Sequence, residues 1–212
     1  MFEKIRQRAT IQTVLCVLAL LALNVYVAMQ VFFTEYVSHM GSIEAAYIGL
    51  ARYILNHPFE LTWFPLWYAG IPYENTYPPL LQFCVAAVSW FAEISPARAY
   101  HIVGSAVYCL GPITLFWLAL RLSGCRIGAF VAGLLYSIIS PAAFLISSVA
   151  QWGLGYWGPR RLQTLVEYGE APHLTAMALL PVAIVALDVA LKRRRPLSVF
   201  LAALALAAVV IQ

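Results

Sequence analysis

Charge is what this chain has least of. Only 10% of its 212 residues are Asp, Glu, Lys or Arg, where a soluble domain carries roughly a quarter. With 63% hydrophobic residues and a mean hydropathy of +0.82, that deficit excludes an ordinary soluble domain and leaves an integral membrane protein in contact with lipid. Cysteine is sparse and scattered. Cys16, Cys84, Cys109 and Cys125 lie in or at the ends of apolar runs, with no Cys-x-x-Cys pair and no metal-ligand spacing, so they read as small apolar residues. The net charge of +4 does not imply nucleic acid, because the basic residues cluster at the ends of apolar runs, as membrane topology signals do.

The apolar runs set the architecture. Ile11 to Phe33 is uncharged and, at about 1.5 Å per residue, long enough to cross a hydrocarbon core about 30 Å thick. Lys4, Arg6 and Arg8 precede it, and it ends in Val31-Phe32-Phe33 without a small-residue cleavage site. This predicts an uncleaved anchor with a cytoplasmic N-terminus. Further spans are expected at Ile102–Leu120, Ile127–Val149 and Leu174–Leu191, and a last run starts at Leu197 and reaches Gln212. The expected fold is all-α, a single polytopic transmembrane helix bundle over residues 1–212 with amphipathic juxtamembrane helices in its loops. The abrupt stop at Gln212 reads as the N-terminal part of something longer.

Leu80–Phe91 is apolar but short, nearer the length of a re-entrant or interfacial helix. The positive-inside rule arbitrates. If the segment does not cross, Lys4, Arg6, Arg8, Arg121, Arg126 and Lys192 to Arg195 are cytoplasmic, nine against four outside. If it crosses, the balance is six against seven. The first arrangement is favoured. It places two large loops, residues 34–100 and 150–173, together on the non-cytoplasmic face, with seven of the nine acids in them. Any active site in this portion is then external, and the expected location is a bacterial inner membrane.

Within the first loop, Trp63 to Leu80 reads WFPLWYAGIPYENTYPPL. Prolines at this density forbid a helix, and bare irregular backbone is not tolerated in lipid. The segment belongs at the membrane surface with its aromatic rings at headgroup level. Ser42 is a plausible N-cap for an amphipathic helix over Ile43–Leu55, ended by Asn56-His57-Pro58. Glu44 falls in its first turn. An acid there either complements the helix dipole or serves as a base or metal ligand at the membrane surface. Glu35 divides in a similar way, and His39 is either a polar interface residue or a ligand. In the second loop, Arg160 and Arg161 suit an anionic lipid or a pyrophosphate, and equally suit generic phospholipid headgroups. Glu170 and His173, three residues apart, are spaced to approach one substrate hydroxyl or metal. Asp188 and Lys192 form a structural i, i+4 pair.

These features in this order resemble the N-terminal part of the GT-C superfamily of polytopic glycosyltransferases. An N-terminal anchor precedes an acidic, helix-bearing loop. Then come a Trp-Phe-Pro/Trp-Tyr segment at Trp63–Tyr68, Gly70-Ile71-Pro72, and Tyr77-Pro78-Pro79-Leu80 opening an apolar helix. The superfamily includes protein O-mannosyltransferases, lipid A aminoarabinose transferases and oligosaccharyltransferase catalytic subunits. The pattern is most similar to membrane proteins that carry the name 6-pyruvoyl-tetrahydropterin synthase-related. The resemblance covers Thr34 to Ser140, including Arg121-Leu122-Ser123-Gly124 and Ser140-Pro141.

The resemblance implies transfer of a sugar from a polyprenyl-phosphate donor to an acceptor on the external face. It implies an acid in the first loop that activates the acceptor or holds a divalent metal, magnesium or manganese. Carried onto this chain, that role falls on Glu44, with Glu35 in reserve. Arg160, Arg161 and His173 become the donor-phosphate contacts, and Trp63, Trp67, Tyr73 and Tyr77 a wall against the sugar, beside His39 and Glu170. The family usually has an aspartate in this loop, and this chain has none in either loop. That departure keeps a second expectation alive, a non-catalytic membrane subunit or scaffold that binds membrane-complex partners.

Overall fold

The computed structural model of the chain describes residues 2–37, 42–66, 69–73, 79–152 and 155–212, with side chains described from Thr10 onward except that of Trp152. Ten helices carry nearly all of the described order. They are α1 (Phe2–Phe33), α2 (Glu44–Asn56), α3 (Leu80–Ala92), α4 (Pro96–Ser123), α5 (Arg126–Ile138), α6 (Pro141–Leu145), α7 (Ser147–Trp152), α8 (Arg160–Val166), α9 (Ala171–Arg193) and α10 (Pro196–Val210). Two short strands, β1 (Trp63–Phe64) and β2 (Ile71–Pro72), pair antiparallel. Among the described residues, three segments are long and apolar enough to cross a membrane: Thr10–Phe33, Pro96–Ser123 and Ala171–Arg193. Contact with membrane lipid follows from their exposed apolar side chains.

Helix α4 is the central column, packed against α1, α3, α5 and α9. Its start is written in Ser95-Pro96. The Ser95 hydroxyl accepts from the Arg98 N–H at 3.1 Å, and Pro96 occupies a position where no donor is needed. Its buried face runs Tyr100, His101, Gly104, Ser105, Tyr108, Gly111, Pro112 and Phe116, at helical spacing. Across α1 and α5 the contact is partly polar. Asn24, fully buried, donates to the Ser137 hydroxyl at 2.8 Å, and that hydroxyl donates to the Gly133 carbonyl. Hydrogen bonds of this kind join helices where apolar contacts alone give little preference over lipid.

The bundle has two unlike ends. One gathers Arg121, Arg126 and Lys192 to Arg195 around the α4–α5 and α9–α10 turns; we call it the basic end. The other holds the C-terminus of α1, the N-termini of α4 and α9, and helices α2 and α8.

Two segments differ from expectation in extent. A continuous helix was expected over Ile127–Val149, but α5 stops at Ile138, with extended backbone at Ile139 and Ser140 before Pro141 opens α6. Proline withholds a helical donor and its ring turns the preceding residue away from helix, which accounts for the break. The expected bilayer-surface helix after Ser42 forms as α2, but its apolar face, Tyr47, Ile48, Leu50, Ala51 and Ile54, packs into the protein against α3 and α4. Helix α3, 13 residues long, extends about 20 Å, too short to span. Its Leu80 N–H donates to the Ile211 carbonyl, joining its start to the end of α10.

Candidate functional site

At the end opposite the basic residues, three chain segments meet around Glu44. The turn between α8 and α9 supplies the Tyr168 carbonyl, which accepts from the Ile43 N–H at 3.1 Å. The Ser42 hydroxyl accepts from the Glu44 N–H at 3.2 Å. The next residue of the turn, Gly169, has φ +68, and a Cβ there would lie 2.6 Å from the Glu44 nitrogen. Only glycine combines that conformation with so close an approach. Tyr100 of α4 completes the joint, its hydroxyl donating to the Gly169 carbonyl and accepting from the Ala171 N–H.

This joint directs the Glu44 side chain inward, where it is 7% exposed, onto His101 of α4. Oε2 of Glu44 lies 3.2 Å from Nε2 of His101. The other imidazole nitrogen, Nδ1, lies 3.1 Å from the Ala97 carbonyl. A carbonyl only accepts, so Nδ1 carries a hydrogen. Nε2 is the imidazole nitrogen that faces the carboxylate across this contact. The remaining oxygen, Oε1, has only a long contact of 3.5 Å from the Val37 N–H. Val37 also lines a cleft of about 340 Å³ between α1 and α8, whose walls include Gln30, Thr34, Gln163 and Glu167.

A second carboxylate stands near the first. Glu170 accepts from the Tyr47 hydroxyl at 3.2 Å, and the Tyr47 ring stacks on Tyr100 at 6.4 Å. Glu44 and Glu170 are thus carried by adjoining parts of one joint. The other expected site residues disperse. Glu35 accepts from the Ser95 hydroxyl at 2.6 Å, at the start of α4. His173 is exposed on the first turn of α9. Arg160 donates to Gln163 Oε1 at 2.6 Å and lies over the Tyr168 ring. Trp63 is half exposed and covers Gly70. Tyr73 is buried, and burial pushes its phenol up to about 12. His39, Trp67 and Tyr77 lie outside the described residues.

Arg161 points away from the surface. Its guanidinium sits between the Tyr108 and Tyr136 rings, 4.3 and 4.4 Å from their centroids, and donates to the Tyr108 carbonyl. Burial pushes the guanidinium below its usual value. Its Nε and Nη1 have no partner among the described residues.

Sequence reasoning missed His101, Tyr47 and Tyr100. A usable signal existed for His101. It is an ionisable residue at the margin of an apolar run, and such residues turn inward toward partners.

For magnesium or manganese, the described donors do not fit. Glu44 and His101 supply two groups, and among the described residues no three His, Cys, Asp or Glu side chains gather, whereas these ions take a nearly complete shell dominated by oxygen. In comparisons with protein-family models, with curated proteins and with solved structures, nothing matches this chain.

Proposed function

We propose that the chain is a polytopic membrane glycosyltransferase, moving a sugar from a polyprenyl-phosphate donor to an acceptor hydroxyl on the non-cytoplasmic face. The observation that carries this reading is the buried Glu44–His101 pair. An imidazole and a carboxylate from positions 57 apart, held in contact before substrate arrives, supply an acid–base pair. In its ionised form, Oε1 of Glu44, with only the long Val37 N–H contact, is the oxygen left to take a proton. The acceptor hydroxyl gives its proton to that oxygen as its own oxygen attacks the anomeric carbon. The sugar–phosphate bond breaks, and the lipid phosphate departs with the bonding electrons. His101, as imidazolium, holds the carboxylate in place until then.

Charge distribution supports the orientation. The basic end takes the cytoplasmic side by the positive-inside rule, which puts the Glu44 end and the cleft beside Val37 outside. Arg160, the first residue of α8, reaches that cleft through Gln163 and serves the donor phosphate as charge develops on it.

The test is sugar transfer in membranes given a labelled polyprenyl-phosphate sugar. Glu44→Gln is expected to insert normally and to lose transfer by roughly a hundredfold or more, the usual contribution of a positioned base. Transfer at the wild-type rate by that variant removes Glu44 from the chemistry.

One observation favours a second reading, a non-catalytic membrane subunit. The Glu44–His101 contact also pins α2 to α4, and at 7% exposure the carboxylate is enclosed. In that case Glu44→Gln leaves transfer by the parent complex intact and instead loosens α2.

A further inference from the structure

The α9–α10 hairpin lies at the opposite end of the bundle from Glu44. Helix α9 closes at Arg193, and Arg194 takes the left-handed conformation, φ 50, with its N–H on the Ala190 carbonyl at 2.9 Å. Glycine is the usual residue at such a closure, so an arginine there accepts backbone strain. Arg195 is extended, and its carbonyl accepts from the Ser198 hydroxyl and the Val199 N–H as α10 begins. This tight turn brings Arg193 and Arg195 to the mouth of one groove of about 230 Å³ between α9 and α10. The groove is otherwise lined by Ala186, Val189, Leu197 and Leu201, with Ser198 near the turn.

The charges at this end do not balance. Asp188, the acid at this end whose side chain is described, is already held by Arg121 at 2.9 Å and Lys192 at 2.7 Å. Arg126 is engaged by Gln12 and Thr13. Arg193 and Arg195 are therefore left without a carboxylate among the described side chains. An apolar groove with two uncompensated guanidinium groups at its mouth matches a molecule that is anionic at one end and hydrocarbon at the other. A zwitterionic headgroup fits less well, because its own amine answers its phosphate. A free phosphate uses the mouth and leaves the groove unfilled.

We propose that this hairpin binds one anionic phospholipid, with its phosphate on Arg193 and Arg195 and an acyl chain along the groove. The site does not depend on the glycosyltransferase reading and stands or falls apart from it.

Native mass spectrometry of the full protein in mild detergent tests this, with phosphatidylglycerol, phosphatidylcholine or inorganic phosphate supplied. The expected result is retention of one phosphatidylglycerol, at least tenfold over phosphatidylcholine at equal concentration. The double variant Arg193→Gln/Arg195→Gln is expected to lose that preference. Arg194→Gln, which removes a neighbouring charge that does not line the groove, is expected to keep it. Ala186→Phe fills the groove with the arginines intact and is expected to lower lipid retention at least tenfold. Equal retention of the two lipids overturns the proposal, as does an unchanged double variant or an equal loss in Arg194→Gln. Retention untouched by Ala186→Phe, with inorganic phosphate competing, reduces the site to a phosphate binder and overturns it too.

Discussion

Arg161 donates to the Tyr108 carbonyl, the one carbonyl in α4 that Pro112, four residues on, leaves without its helical donor. Gly111 makes the approach possible, since a Cβ there would lie 2.8 Å from Nη2 of Arg161. A helix defect, a glycine and a buried cation thus form one unit, which binds α8 to the central column and positions the α8–α9 turn beneath Glu44.

That unit predicts a coupling. Removing Arg161 sets the relief of a buried charge against lost ring contacts and an orphaned carbonyl, so its net sign is a contest. The coupling to Pro112 is not. In Pro112→Ala the residue regains an N–H for the Tyr108 carbonyl, so Arg161→Met costs less there, by about 1 kcal/mol, the usual worth of one hydrogen bond. A four-variant cycle of unfolding in detergent measures this, and strictly additive effects refute it.

Gly169→Ala is expected to loosen α2. The left-handed conformation costs an alanine roughly 1 kcal/mol, and the new methyl also meets the backbone nitrogen of Glu44 at 2.6 Å. Gly124 has a similar φ, +66, with nothing within 4 Å. Gly124→Ala therefore pays the conformational term alone. Melting temperatures of the two variants isolate the packing term, and equal losses would show that the joint is not tight.

Much of the scaffold was legible in the sequence. The apolar runs at Ile11, Ile102 and Leu174 became α1, α4 and α9, because long uncharged runs leave few alternatives to a buried or lipid-facing helix. Ser95-Pro96 and Ser140-Pro141 held the start of α4 and the break after α5, but apolar run length alone starts one span at Ile102 and carries the next straight through Pro141, because it registers neither a cap nor a proline stop. The pairing of Trp63–Phe64 with Ile71–Pro72 was not legible, since strands of two residues have no periodicity. For the site, Glu44 stood out as an acid beside an apolar stripe. Its partner did not, because helical spacing tells which residues share a face but not which distant face they meet.

Tyr73 supplies a spectroscopic check on the aromatic loop. Its ring lies 6.2 Å from Tyr53 and 6.5 Å from Phe64, and burial raises its phenol from 10.0 to about 12. A raised folded value means the native state holds this proton longer than the unfolded chain. Its contribution to stability is complete below pH 10 and is lost as the pH rises through about 12. Ultraviolet titration of phenolate formation, wild type against Tyr73→Phe, is expected to lose a late-ionising component. Loss of an early one would place Tyr73 in water.

The Glu44–His101 pair predicts a rescue. His101→Leu leaves a carboxylate enclosed with only the Val37 N–H nearby, and breaking a buried ionic pair from one side costs roughly 3–5 kcal/mol. Glu44→Gln makes the same position neutral. In the wild-type background it weakens the contact to His101; in the His101→Leu background it removes an unpaired charge. The second substitution should therefore restore stability to the first, by roughly 2 kcal/mol out of that loss, while transfer stays abolished in the double variant. Stability then recovers while transfer does not. A purely structural clamp would show the same rescue of stability with transfer untouched by Glu44→Gln, and a Glu44 held in water would show no rescue.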